Sequence, residues 1–160
     1  MKIEIKDITK QAIIAAVYVA LTYLFMFMSF EKIQFRVSEM LMVLPLFNKK
    51  HSIGVVLGCF IANLLFSPFG MVDVMVGTFA TLIACAFIIL LKSKYLTPVI
   101  AALANGVIIG LMIYFMSEFT ESFFIAGAFV FIGEFAVVSL GVVAYMLIVK
   151  NEFLCKLLRE

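Results

Sequence analysis

Residues 123 to 149 read FFIAGAFVFIGEFAVVSLGVVAYMLIV, an apolar run with one ionisable side chain, Glu134, near its middle. A helix crossing hydrocarbon needs roughly 20 apolar residues in a row. A carboxylate at that depth costs a few kcal/mol or more unless something pairs with it, so it is read by default as part of a site. Composition places this run in a chain built the same way throughout. Of 160 residues, 66% are hydrophobic and 14% charged, with a mean hydropathy of +1.22. No soluble domain of that size has an interior able to hide so much apolar surface. The expected class is an all-α integral membrane protein. A net charge of +2 without any Lys/Arg block excludes a nucleic-acid partner. Cys59, Cys85 and Cys155 form no CxxC and read as free thiols, not as a disulfide framework or a metal site.

Polar punctuation divides the chain into six apolar runs, 11–29, 34–47, 52–66, 71–91, 97–116 and 123–149. The breaks FEKIQ, NKKH, SPFG, KSKYLTP and SEFTES carry turn and helix-stop residues such as Asn48, Pro68 with Gly70, and Pro98. The first run is too long for a secretory signal core and lacks a small-x-small cleavage site, so it is expected to remain as an anchor. With the N-terminus in the cytoplasm, Lys2, Lys6, Lys10, Lys49, Lys50, Lys92, Lys94, Lys150, Lys156 and Arg159 lie inside, and only Lys32 and Arg36 lie outside. That asymmetry obeys the positive-inside rule. The sequence therefore predicts one domain over 1–160, a bundle of six transmembrane helices with both termini cytoplasmic.

The second and third runs are short for α-helices and cover only about 21–23 Å at 1.5 Å per residue. They are expected to be buried by longer neighbours, or to stop short of the outer face and leave a depression there.

Partners for Glu134 are sought at its own depth. Glu134 and Asn105 lie eleven positions in from Phe123 and Met116, the outer ends of consecutive runs. Both are thus about 16 Å deep. Gly133, Gly106 and Gly110 accompany them, leaving room for a ligand or for close helix contact. Nearer the outer rim, Arg36 and Glu39 share one side of the second run at i, i+3. Asn63 lies near the outer end of the third, and Asp73 opens the fourth after SPFG. The set descends like a funnel. Plainer roles are available for most of it: an interfacial Arg36–Glu39 ion pair, a helix cap at Asp73, and interhelical hydrogen bonds at Asn63 and Asn105. His51, the one histidine, sits at the cytoplasmic boundary and is assigned no chemistry.

No HExxH, GxSxG, Cys/His cluster or nucleophile–base set occurs, which argues against an enzyme, and no catalytic residue or cofactor is expected. There is no P-loop either, so ATP hydrolysis must come from a partner, or else protons move through Glu134 as in a secondary carrier. Ala12, Ala16 and Ala20 at i+4 spacing, with Ala15 adjacent, make a small-residue stripe on the first helix. Such a stripe serves either a partner helix or internal packing.

The blocks IQFRVSEMLMVLPLF, GVVLGCFIANLLFSPFGMVDVMVGTFATLIA, ALANGVIIG and IGEFAVVSLG resemble the queuosine-precursor transporter (QueT) family nearly end to end. The resemblance implies a multi-pass protein of the bacterial plasma membrane, the substrate-binding S component of an energy-coupling-factor (ECF) transporter. Such a subunit would capture a 7-deazaguanine precursor from outside, then dock on a transmembrane T component and two ATPases. The alanines at 12, 16 and 20 are similar to the S-component motif that contacts the T component. A deazaguanine presents two adjacent donors, which Glu134 can accept together, while the Asn105 amide reads a carbonyl or ring nitrogen. Asp73 or Glu39 would meet a cationic aminomethyl group nearer the mouth. S components for other vitamins share this architecture, and a small proton-coupled carrier is the alternative from a different class.

Overall fold

The computed structural model describes residues 5–29, 35–120 and 122–159. The expected break at FEKIQ lies wholly outside them, as do Lys2 and Lys32. Every element is helical: α1 (Ile5–Leu24), α2 (Met26–Ser29), a 3₁₀ helix (Val37–Leu46), α3 (His51–Phe66), α4 (Gly70–Leu91), α5 (Thr97–Met116), α6 (Phe123–Lys150) and α7 (Glu152–Arg159). Four of them, α1, α4, α5 and α6, are long and apolar enough to cross a membrane, whereas the 3₁₀ helix and α3 are shorter. Large apolar side chains stay exposed along the long helices, for example Leu103 and Val107 on α5 and Ile132 and Leu140 on α6. A soluble protein would bury such rows; hydrocarbon accepts them.

The expected second helix is wound as 3₁₀ over ten residues, an uncommon length. Pro45 lies inside it and removes one backbone donor. Tighter winding rises about 2.0 Å per residue, so ten residues reach about 20 Å where an α-helix would reach about 15 Å. It also eclipses positions three apart. Glu39, Met42 and Pro45 form one such buried row, with Arg36 at its head. This short segment is enclosed by longer neighbours, chiefly α6 and α1.

Glycines set the closest helix contacts. A Cβ on Gly58 of α3 would sit 2.6 Å from Tyr18 Cβ, and one on Gly54 would sit 2.8 Å from the Gln11 carbonyl, so α3 lies directly on α1. A Cβ on Gly110 of α5 would come within 2.7 Å of Gly127 Cα on α6. Gly106 and Gly110 therefore serve close helix contact, the second of the two roles the sequence allowed.

The chain's first and last described stretches meet at one end of the bundle. Lys50 Nζ is 2.6 Å from Asp7 Oδ2. The amphipathic α7, absent from the six expected runs, has its last carbonyls held there by Lys10 Nζ (Leu157 O, 2.9 Å), His51 Nε2 (Leu158 O, 2.7 Å) and Asn48 Nδ2 (Arg159 O, 3.1 Å). These donors satisfy acceptors that a helix C-terminus leaves open. Because His51 Nε2 donates to that carbonyl, Nδ1 is the acceptor for Gln11 Nε2 at 3.3 Å. His51 is thus a buried strut joining α1, α3 and α7.

Candidate functional site

All six polar residues singled out in the sequence are buried: Arg36, Glu39, Asn63, Asp73, Asn105 and Glu134. The structure divides them into two groups of opposite character.

Arg36, Asn63 and Asp73 hydrogen-bond to one another at the end of the bundle away from the termini. Arg36 Nη2 donates to Asp73 Oδ2 at 3.1 Å and to Asn63 Oδ1 at 3.0 Å. Ser67 Oγ, in the SPFG turn, donates to Asp73 Oδ2 at 2.6 Å, and Asn63 Nδ2 reaches the Asp73 carbonyl at 3.3 Å. Gly77, one turn along α4, makes the space: a Cβ there would lie 2.7 Å from Asn63 Nδ2 and 2.9 Å from Asp73 Oδ1. Arg36 is therefore the ion-pair partner of Asp73 across two elements, and not of Glu39 on its own helix. Asp73 stands in the first turn of α4 but makes no side-chain cap.

The other three, Glu39, Asn105 and Glu134, keep buried side-chain atoms without a hydrogen-bond partner among the described residues. Tyr18 OH and Thr81 Oγ1 donate to the same carboxylate oxygen, Glu39 Oε1, at 2.6 and 3.2 Å. Glu39 Oε2 has no hydrogen-bond partner among the described residues. Neither side-chain atom of Asn105 has one, nor do Glu134 Oε2 and Thr78 Oγ1. Glu134 is 1% exposed and Asn105 0%, so none of this is relieved by solvent. Each buried polar group left so costs about 1–3 kcal/mol. The helix α6, which carries Glu134, packs against the 3₁₀ helix that carries Glu39.

Counting from the helix ends set Asn105 and Glu134 at one depth. The glycine contact adjusts that register. Gly106 meets Gly127 and Phe131, which puts Asn105 across from about residue 130. Glu134 then lies about one turn, roughly 5 Å, farther from the α5–α6 connection.

Tyr18, Thr81 and Ser67 were not singled out in the sequence as site residues, although they orient the two acids. Tyr18 and Thr22 occupy i and i+4 on the buried side of α1, and Thr22 Oγ1 pairs with Ser38 Oγ at 2.8 Å. Hydroxyls at helical spacing opposite VSE were the available signal. Cys59, also buried, lies 3.2 Å from Thr81 Oγ1.

The small-residue stripe faces outward. Ala12, Ala16 and Ala20 are exposed on α1, while Ala15 packs inward against α3. With Val19, Leu57 and Ile61 the three line a shallow apolar groove along the seam of α1 and α3.

The family model described as QueT transporter matches residues 8–150. A curated relative, the "Queuosine precursor transporter QueT" of Lactococcus lactis subsp. cremoris (strain MG1363), is 45% identical over 91 residues. That alignment covers 56% of this chain and 53% of the relative, so the match spans about half the relative's length. No solved structure matches.

Proposed function

The chain belongs to the QueT transporter family, and from that premise we propose that it is the substrate-binding S component of an ECF importer for a 7-deazaguanine precursor of queuosine. The observation carrying this is the set of buried, unpartnered atoms on Glu134, Asn105 and Glu39. Such groups are kept where a ligand completes them. The Glu134 carboxylate accepts from the two adjacent donors of the base, one at each oxygen, Asn105 reads its carbonyl or ring nitrogen, and the free oxygen of Glu39 meets a cationic substituent. Charged hydrogen bonds of this kind are the strong ones. Asp73, already satisfied by Arg36 and Ser67, braces the mouth instead of binding the solute. The bundle crosses the plasma membrane six times with both termini cytoplasmic, in keeping with the meeting of the two terminal segments at one end and with the charge asymmetry.

Energy comes from partners. The outward-facing Ala12, Ala16 and Ala20 let a helix of the T component approach the α1–α3 groove closely, and two ATPases complete the importer. Ala16→Leu fills that groove, so it should leave deazaguanine binding unchanged and abolish uptake in reconstituted vesicles. Normal uptake would remove the stripe from the coupling surface.

The decisive measurement is a binding titration of the solitary protein with 7-deazaguanines, guanine and unrelated vitamins. Saturable binding restricted to the deazaguanines is expected. Binding of another vitamin would reassign the cargo. Solute accumulation driven by a pH gradient, with no ATPase present, would establish the proton-coupled carrier in place of the S component.

A further inference from the structure

At the end of the bundle that carries both termini, a cleft of about 630 Å³ opens well apart from the polar interior. It lies between the α4–α5 connection and the last turns of α6. Lys92, Lys94 and Lys150 line it together with Tyr95 and Tyr145. None of the three lysines forms an ion pair with a described carboxylate, in contrast to Lys50, which holds Asp7 at the same end. Lys94 Nζ stands 5.0 Å over the Tyr95 ring. Tyr145 is braced by Phe47 at a centroid distance of 4.6 Å, giving the cleft a firm aromatic wall. Lys92 ends α4 in the left-handed region (φ 48°), where glycine is the usual residue.

Three uncompensated cations around one cleft favour an anion. The rest of the lining narrows its chemistry, because Leu46, Met146 and Val149 form an apolar wall beside the lysines. We infer that this cleft binds an anionic phospholipid, with the headgroup phosphate among Lys92, Lys94 and Lys150 and an acyl chain along the apolar wall. Basic clefts between helices at a membrane surface suit such headgroups, and each lysine near anionic lipid adds to the attraction. The site neither uses nor touches Glu39, Asn105 or Glu134, so it is independent of the cargo.

The test is native mass spectrometry of the full chain in neutral detergent, titrated with phosphatidylglycerol, phosphatidylcholine or inorganic phosphate. One tightly retained phosphatidylglycerol is expected, with phosphatidylcholine stripped off. The triple variant Lys92→Gln, Lys94→Gln, Lys150→Gln should bind it at least about tenfold more weakly. The corresponding triple arginine variant should retain it, as should Lys49→Gln outside the cleft. Equal retention by the glutamine variant, equal retention of phosphatidylcholine, or loss in the arginine variant would overturn the site. Displacement of the lipid by inorganic phosphate at comparable concentration would overturn the lipid in favour of the free anion. The substituted side chains are exposed or half-buried at the bundle's edge, so folding, checked by circular dichroism, should be unaffected.

Discussion

The two polar groups inside this bundle are buried alike and treated oppositely. Around Asp73 the acceptor oxygens are met by Arg36 and Ser67, and Asn63 bridges both. No described residue answers Glu134 Oε2 or either side-chain polar atom of Asn105. Burial alone therefore does not distinguish a brace from a binding site; the state of the hydrogen-bonding account does. A closed cluster stabilises the fold in the absence of solute. An open one lowers stability and holds that cost against ligand affinity, the usual relation between preorganised sites and stability.

The largest expected effect breaks the closed group. Asp73→Ala removes the carboxylate that Asp73 gives to the buried Arg36 guanidinium, and removing one partner of a buried pair costs about 3–5 kcal/mol. Thermal unfolding in detergent should show a large fall in midpoint. A smaller loss, about 1–3 kcal/mol, is expected from Gly77→Ala, whose methyl group overlaps Asn63 and Asp73. An unchanged midpoint there would mean that the cluster has room to spare. The open group should respond the other way. Glu134→Gln should leave the unfolding midpoint level or higher while weakening deazaguanine binding by about 1.5 kcal/mol, roughly tenfold. If Glu134→Gln proved as destabilising as Asp73→Ala with affinity intact, the contrast between the two groups would be lost and Glu134 would be structural.

Much of the fold was legible because hydrocarbon imposes a length rule. The runs 71–91, 97–116 and 123–149 became α4, α5 and α6 with ends displaced by a residue or less. The outward placement of Ala12, Ala16 and Ala20 follows a 3.6-residue period that any α-helix obeys. Elsewhere the rule had less grip. At Val37–Leu46 apolar content does not separate 3₁₀ from α winding, and the tighter coil depends on Pro45 and on neighbours that bury the segment. From Ile5, the first described residue, the first helix already runs through a polar stretch, where Asp7 and Lys10 find partners on Lys50 and α7. Those partners are distant in sequence. For the same reason α7 escaped a search for long apolar runs: its place is set by donors from Lys10, Asn48 and His51.

By itself the sequence determined that this chain lives in a membrane, roughly where most of its long helices run, and that Glu134 and Asn105 are polar groups in an apolar setting. It could do so because solvation and helix periodicity are local properties of composition and spacing. Only the tertiary structure decided that Arg36 pairs with Asp73 and leaves Glu39 to Tyr18 and Thr81, and that Glu134 and Asn105 remain open. Hydrogen bonds depend on ångström distances between side chains on different helices, and those distances exist only once glycine contacts such as Gly58 on Tyr18 and Gly110 on Gly127 have set how the helices lie.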